Sequence, residues 1–170
     1  MKGKRVTSEI YNLSQLERAL ARIEAKLKRK IPLPLVIVII QNGVLESILQ
    51  LLVQNDIEII VLRQRESGSV LYRKICVKKK LDGVVIMHAE SKVRTKNLPI
   101  ALRDKIIEGE RGIGSLIENL RIETFRHIRN IGFDQRQRAI YRIYDIYIKE
   151  QLAITIKEYF PIDLPIWNSR

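Results

Sequence analysis

The sequence predicts an α+β fold: a single largely antiparallel β-sheet with helices gathered on one side. Three observations lead there. Apolar residues recur at helical spacing near the N-terminus, Leu81-Asp82-Gly83 is a hairpin signal, and the last third offers three β-like runs with no room for a helix between them. Strands joined by short connections pair antiparallel, and helices set apart in sequence from the strands collect on one face. At 170 residues and 46% hydrophobic, the chain has the length of one domain and enough apolar residues for a true core.

Residues 14 to 30 place Leu16, Ala19, Leu20, Ile23 and Leu27 on one helical face, with Ser14 and Glu17 spaced as a capping box. Ile31-Pro32-Leu33-Pro34 ends that helix. The run 35 to 41, LVIVIIQ, is expected to be a central strand covered on both faces. After the Asn42-Gly43 turn, helical spacing resumes over 44 to 54 through Leu45, Ile48, Leu49 and Leu52. Residues 57 to 64 are a second strand, and 70 to 80 with 83 to 93 form a hairpin. Residues 98 to 119 are helical or irregular, broken by the glycines of GERGIGSL, and strands follow at about 121 to 131, 138 to 148 and 152 to 160. The division expected is a basic amphipathic arm over 1–32 and an α+β domain over 33–170.

Composition removes several classes of function. A lone cysteine, Cys76, cannot make an internal disulfide, and two histidines, His88 and His127, give no cluster with metal-ligand spacing. No metal site is expected. No apolar run nears the roughly 20 residues of a membrane span, and no secretory leader is evident. The net charge of +12 attracts anions of any size. Half of it lies in residues 1 to 30, but that stretch holds only Tyr11 as an aromatic for bases to stack on, so no nucleic-acid partner is expected. The expected state is a monomer.

A strand places alternate side chains on one face. In ITIKEYFP, Ile154, Ile156, Glu158 and Phe160 share a face, which puts a carboxylate in an apolar row. LYRKICV does the same for Arg73 among Leu71, Ile75 and Val77, and IETFRHI for Arg126 among Ile122, Thr124 and Ile128. A buried charge without a partner costs several kcal/mol, so such groups pair with one another or serve a ligand. Either Arg73 or Arg126 pairs with Glu158, or the row lines a sheltered pocket in which guanidinium groups receive a carboxylate. In GERGIGSL, Gly112 and Gly114 flank Ile113, whose amide is free to face an anion or hydroxyl. Cys76 and the tyrosines at 141, 144 and 147 read as packing residues, and the histidines as strand-surface ones.

In this order NGVLESIL, LYRKICV, the hairpin, NLP, GIGSLI, IETFRHI and KEYFP resemble the chorismate pyruvate-lyase family, over about residues 33 to 162. The likeness is to the branch found in cyanobacteria and in red-algal-type chloroplast genomes. It implies an antiparallel sheet enclosing a ligand pocket, and removal of pyruvate from chorismate to leave 4-hydroxybenzoate, a quinone precursor, with no cofactor. It also implies that Arg73 binds the ligand carboxylate, that Glu158 stands near the ring hydroxyl, and that the amides at about Leu45 and Ile113 complete the site. Arg126 belongs to the "E-T-x-R" pattern of that branch. The sequence departs from the family where Asn42-Gly-Val-Leu-Glu46 stands for Asp-Gly-Ser-x-Thr, and where Ser91 stands for an arginine.

The expected function is therefore a chorismate pyruvate-lyase. Composition and the lack of a transit peptide place it in a plastid stroma, or alternatively in a bacterial cytoplasm. Two other readings stay open: a non-catalytic effector-binding domain like those of some bacterial transcription regulators, and an RNA-binding protein using residues 1 to 30.

Overall fold

The structure, a computed structural model, describes residues 12–109 and 111–168; the arm's Lys2, Lys4, Arg5 and Tyr11 lie outside them. Helices α1 (Leu13–Leu27), α2 (Leu33–Ile40) and α3 (Leu45–Val53) come first. Strands β1 (Ile57–Ser67), β2 (Val70–Lys79) and β3 (Val85–Arg94) follow, then α4 (Ile100–Glu108) and α5 (Ile113–Asn119). Strands β4 (Phe125–Asp134), β5 (Ala139–Ile148) and β6 (Gln151–Pro161) end the sheet. The six strands lie in the order β1-β2-β3-β6-β5-β4, with every neighbouring pair antiparallel. The fold is α+β, as the sequence implies.

The largest departure is α2. The apolar run LVIVIIQ predicts a strand; residues Leu33–Ile40 form a helix instead. Proline in a first helical turn loses no hydrogen bond and presets the backbone angle, so Pro34 begins this helix as readily as it would flank a strand. Leu35, Val38 and Ile39 are fully buried while Leu33 and Ile37 are exposed, so the helical period sorts a run that looks uniformly apolar. Tertiary burial has overridden the β propensity of its valines and isoleucines.

Two boundaries also move. The capping box of α1 is Asn12 and Gln15, not Ser14 and Glu17. Asn12 Oδ1 accepts from the Gln15 amide at 2.9 Å, and Gln15 Oε1 accepts from the Asn12 amide at 2.9 Å. Strand β4 starts at Phe125, four residues later than expected, because the chain leaving α5 stays coiled: the Ile122 amide donates to Ile117 O at 3.0 Å. Ile122 and Thr124 therefore precede the strand, and only Ile128 shares a strand row with Arg126.

The core lies between the sheet and the helices. Ala19 and Ile23 of α1, Leu49 of α3, Leu102 and Ile106 of α4, and Ile140, Ile154 and Phe160 of the sheet join one buried cluster. Trp167, in the short 3-10 turn Pro165–Asn168, seals its end: its indole donates to Pro161 O at 2.7 Å, and its ring meets Phe160 edge-on. Cys76 is buried and free, in keeping with a packing role.

On the edge strand β4, Gly132 pairs with Tyr141, whose ring lies over the glycine. A Cβ there would stand 2.5 Å from the Tyr141 hydroxyl oxygen and 2.6 Å from its ring. Gly132→Ala should therefore displace the ring and cost about 1–3 kcal/mol in urea unfolding; a neutral result would show that Tyr141 has room to move.

Candidate functional site

The register places Arg73 and Glu158 on adjacent rows of one sheet face. Arg73 pairs with Ser91, Ser91 with Ile156, and Ile156 with Tyr144; two residues along, Ile75, Ala89, Glu158 and Arg142 form the next row. Two strands and one row apart, the backbones of Arg73 and Glu158 are about 12 Å from each other at ordinary sheet spacings. The small side chains of Ala89 and Ser91 lie between them. Helices α3 and α5 close over this floor, leaving a cavity of about 70 Å³. Arg73, Glu158, Ile113, Leu45 and Arg126 all border it, with Glu46, Tyr144 and Ser91.

Neither Arg73 nor Arg126 pairs with Glu158. Its partner is Arg142, which sequence reasoning missed: Arg142 Nε donates to Glu158 Oε2 at 2.5 Å, and the Tyr144 hydroxyl donates to Oε1 at 2.9 Å. Arg142 and Glu158 are 3% and 5% exposed, so both charges are sheltered, and their ion pair neutralises them. Burial, then the charge of Glu158, pushes the Tyr144 phenol far above its ordinary value, which fixes it as a donor. The same parity test finds Arg142, since Ile140, Arg142, Tyr144 and Ile146 share a face of AIYRIYDIYI. Tyr144 borders the cavity and does more than fill space.

Three sheet arginines hold backbone carbonyls of the layer above. Arg142 Nη1 donates to Val38 O and Ile39 O at 3.1 Å each and to Gln41 O at 2.6 Å, closing the carbonyl end of α2. Arg126 Nη1 donates to Asn42 O at 3.0 Å and Gly43 O at 2.6 Å, fixing the turn that leads into α3. Arg73 Nη2 donates to Gly109 O at 3.0 Å and Arg111 O at 2.8 Å, fixing the link between α4 and α5. The position of both roofing helices is thus set from the floor.

Arg73 is 3% exposed, and its Nε is buried without a hydrogen-bond partner among the described residues. Burial pushes the guanidinium below its ordinary value, and the negative charge of Glu46 opposes that shift. An arginine stays protonated even so. The arrangement offers a sheltered cation with an unused donor at one end of the cavity and a buried carboxylate with its attendant phenol at the other.

Glu46, in the first turn of α3, borders the cavity and ties α3 to α5: Ser115 Oγ donates a hydrogen bond to its Oε2. Its Oε1 lies so close to Gly112 that any Cβ there would collide with it. Val44 precedes α3 without a side-chain cap, where the family pattern has serine. His88 and His127 stand on β3 and β4 and do not border the cavity. Among the described residues no group of His, Cys, Asp and Glu could hold a metal ion, and no helix is long and apolar enough to cross a membrane.

No family model matches the chain. A chorismate pyruvate-lyase of Mycobacterium leprae (strain TN) is 26% identical over 170 residues, covering 84% of this chain and 80% of that protein. The chain is similar to a chorismate pyruvate-lyase over most of both lengths. The fold of this chain recurs in crystal structures of PhnF from Mycobacterium smegmatis. One PhnF structure matches with a TM-score of 0.52 and 14% identity over 73% of this chain and 66% of that chain. Its effector domain matches with a TM-score of 0.51 over 71% of this chain and 90% of that domain. These likenesses show that this chain shares its fold with PhnF.

Proposed function

We propose that the cavity receives an aromatic carboxylate and that the chain is a chorismate pyruvate-lyase, converting chorismate to 4-hydroxybenzoate and pyruvate. The observation that carries this reading is the placement, on the floor of one cavity, of a buried glutamate and a buried arginine whose Nε has no partner among the described residues. The sequence relation to a lyase supports it.

In this reading Arg73 binds the ring carboxylate through its free donor, and Glu158 accepts the C4 hydroxyl, each carboxylate oxygen keeping a second lone pair beside its bond to Arg142 or Tyr144. The C3–O bond breaks with its electrons leaving on enolpyruvate, the C4 proton is lost, and the ring becomes aromatic. Enolpyruvate takes up a proton to become pyruvate. Aromatisation supplies the driving force, so the protein's work is to orient the ring and to hold donors near the departing oxygen. The amides of Leu45 and Ile113, two residues that border the cavity, would be those donors. The proposed compartment is the plastid stroma, supported by composition alone.

A second reading has its own support: the architecture is that of an effector domain, and a carboxylate already stands in the cavity. Incubation with chorismate decides between them. Release of 4-hydroxybenzoate and pyruvate above the level of Arg73→Ala and Glu158→Ala variants supports the lyase. Thermal stabilisation by 4-hydroxybenzoate without product selects an effector-binding protein. Neither product nor stabilisation overturns both.

A further inference from the structure

Glu46 is the one acid bordering the cavity that no arginine holds within 4 Å among the described residues. Its carboxylate is fixed by the Ser115 hydroxyl and lies against Gly112, the position where a side chain of any other residue would exclude it. Its charge is near enough to Arg73 to favour the protonated guanidinium, yet Arg73 Nε keeps no partner among the described residues. So the cation at this end sees an anion already, supplied by the chain. The cavity that remains, about 70 Å³, is smaller than the roughly 150 Å³ of a cavity that accepts benzene. An aromatic ring therefore needs something to move. Glu46 is suited to that: its head group is the far end of a flexible side chain, half-buried rather than locked in the core.

We infer that Glu46 is a tethered competitor for the ligand carboxylate, filling the Arg73 end of the cavity at rest, and that it sets specificity by admitting only acids able to displace it. The inference rests on the reading of the cavity as a carboxylate site. Displacement costs the Ser115 hydrogen bond and brings a second negative charge beside the first, so weakly bound acids are refused. Removing the head group removes both the obstruction and the repulsion.

The test uses the full chain as wild type, Glu46→Gln and Glu46→Ala, with two probes: sodium formate in thermal unfolding and 4-hydroxybenzoate in calorimetric titration. Formate should raise the Tm of Glu46→Ala saturably, as a carboxylate returning to a vacated site, while the neutral isostere formamide does not and wild type responds to neither. Both variants should bind 4-hydroxybenzoate at least tenfold tighter than wild type. Glu46→Gln keeps the size of the side chain and its acceptor for Ser115, so it reads the charge alone should the alanine variant fold poorly. Unchanged or weaker 4-hydroxybenzoate binding by Glu46→Gln, with no formate response in Glu46→Ala, overturns the inference while leaving the lyase reading intact. A formate response with no 4-hydroxybenzoate binding by any form keeps the tethered carboxylate and overturns the aromatic-acid reading instead.

Discussion

Arg142→Met should destabilise the protein by about 3–5 kcal/mol in urea unfolding, the cost of breaking a buried ion pair by removing one partner. Methionine fills much of the arginine's volume, so packing loss is small and the change reports the charge. Glu158 would be left 5% exposed with the Tyr144 hydroxyl as its one side-chain donor among the described residues. Val38 O, Ile39 O and Gln41 O would lose their common donor at the end of α2. Adding Glu158→Gln to Arg142→Met should recover part of the loss, because a neutral amide tolerates burial better than a lone carboxylate. A loss below about 1 kcal/mol would mean that water reaches the pair and that α2 is held by apolar contacts alone.

The same arginine marks how far the sequence can be read. Antiparallel pairing follows from short connections, and the buried faces of β2 and β6 follow from parity, because a strand's period of two is fixed by its own backbone. That is why Arg73 and Glu158 stand out from the residue pattern alone. Arg142 satisfies the same test, hidden among tyrosines that look like packing. Its bonds to α2 cross more than 100 residues of sequence, and no local pattern reports them. LVIVIIQ misleads for a related reason: its helix depends on burial against a distant sheet. Glu46 is visible only as a departure from a family pattern, since an acid in a first helical turn is what the helix dipole favours on any exposed surface. Its inward course depends on Gly112 and Ser115, which are brought to it by the fold.

The second large effect belongs to Arg73. Arg73→Ala should weaken 4-hydroxybenzoate binding by about 2–5 kcal/mol, roughly 30-fold to several thousandfold, because the ligand carboxylate would enter a sheltered space without its cation. If the chain turns chorismate over, kcat/KM should fall by a similar factor, mostly through KM where the guanidinium binds substrate and transition state alike. Arg73→Lys should not restore it: one ammonium cannot supply the planar fork that holds Gly109 O and Arg111 O with one nitrogen and still offers Nε to a ligand. The structural share of the loss is separable. Arg73 also fixes the link into α5, so a variant that merely loosens that link should melt earlier and exchange the amides of residues 111–116 faster without selective loss of carboxylates over neutral aromatic ligands. A charge role predicts the opposite pattern: 4-hydroxybenzoate binding collapses, whereas 4-hydroxybenzamide, with the same ring and no charge, binds Arg73→Ala about as it binds the wild type. Equal losses for both ligands would assign Arg73 to holding the roof and remove it from ligand recognition.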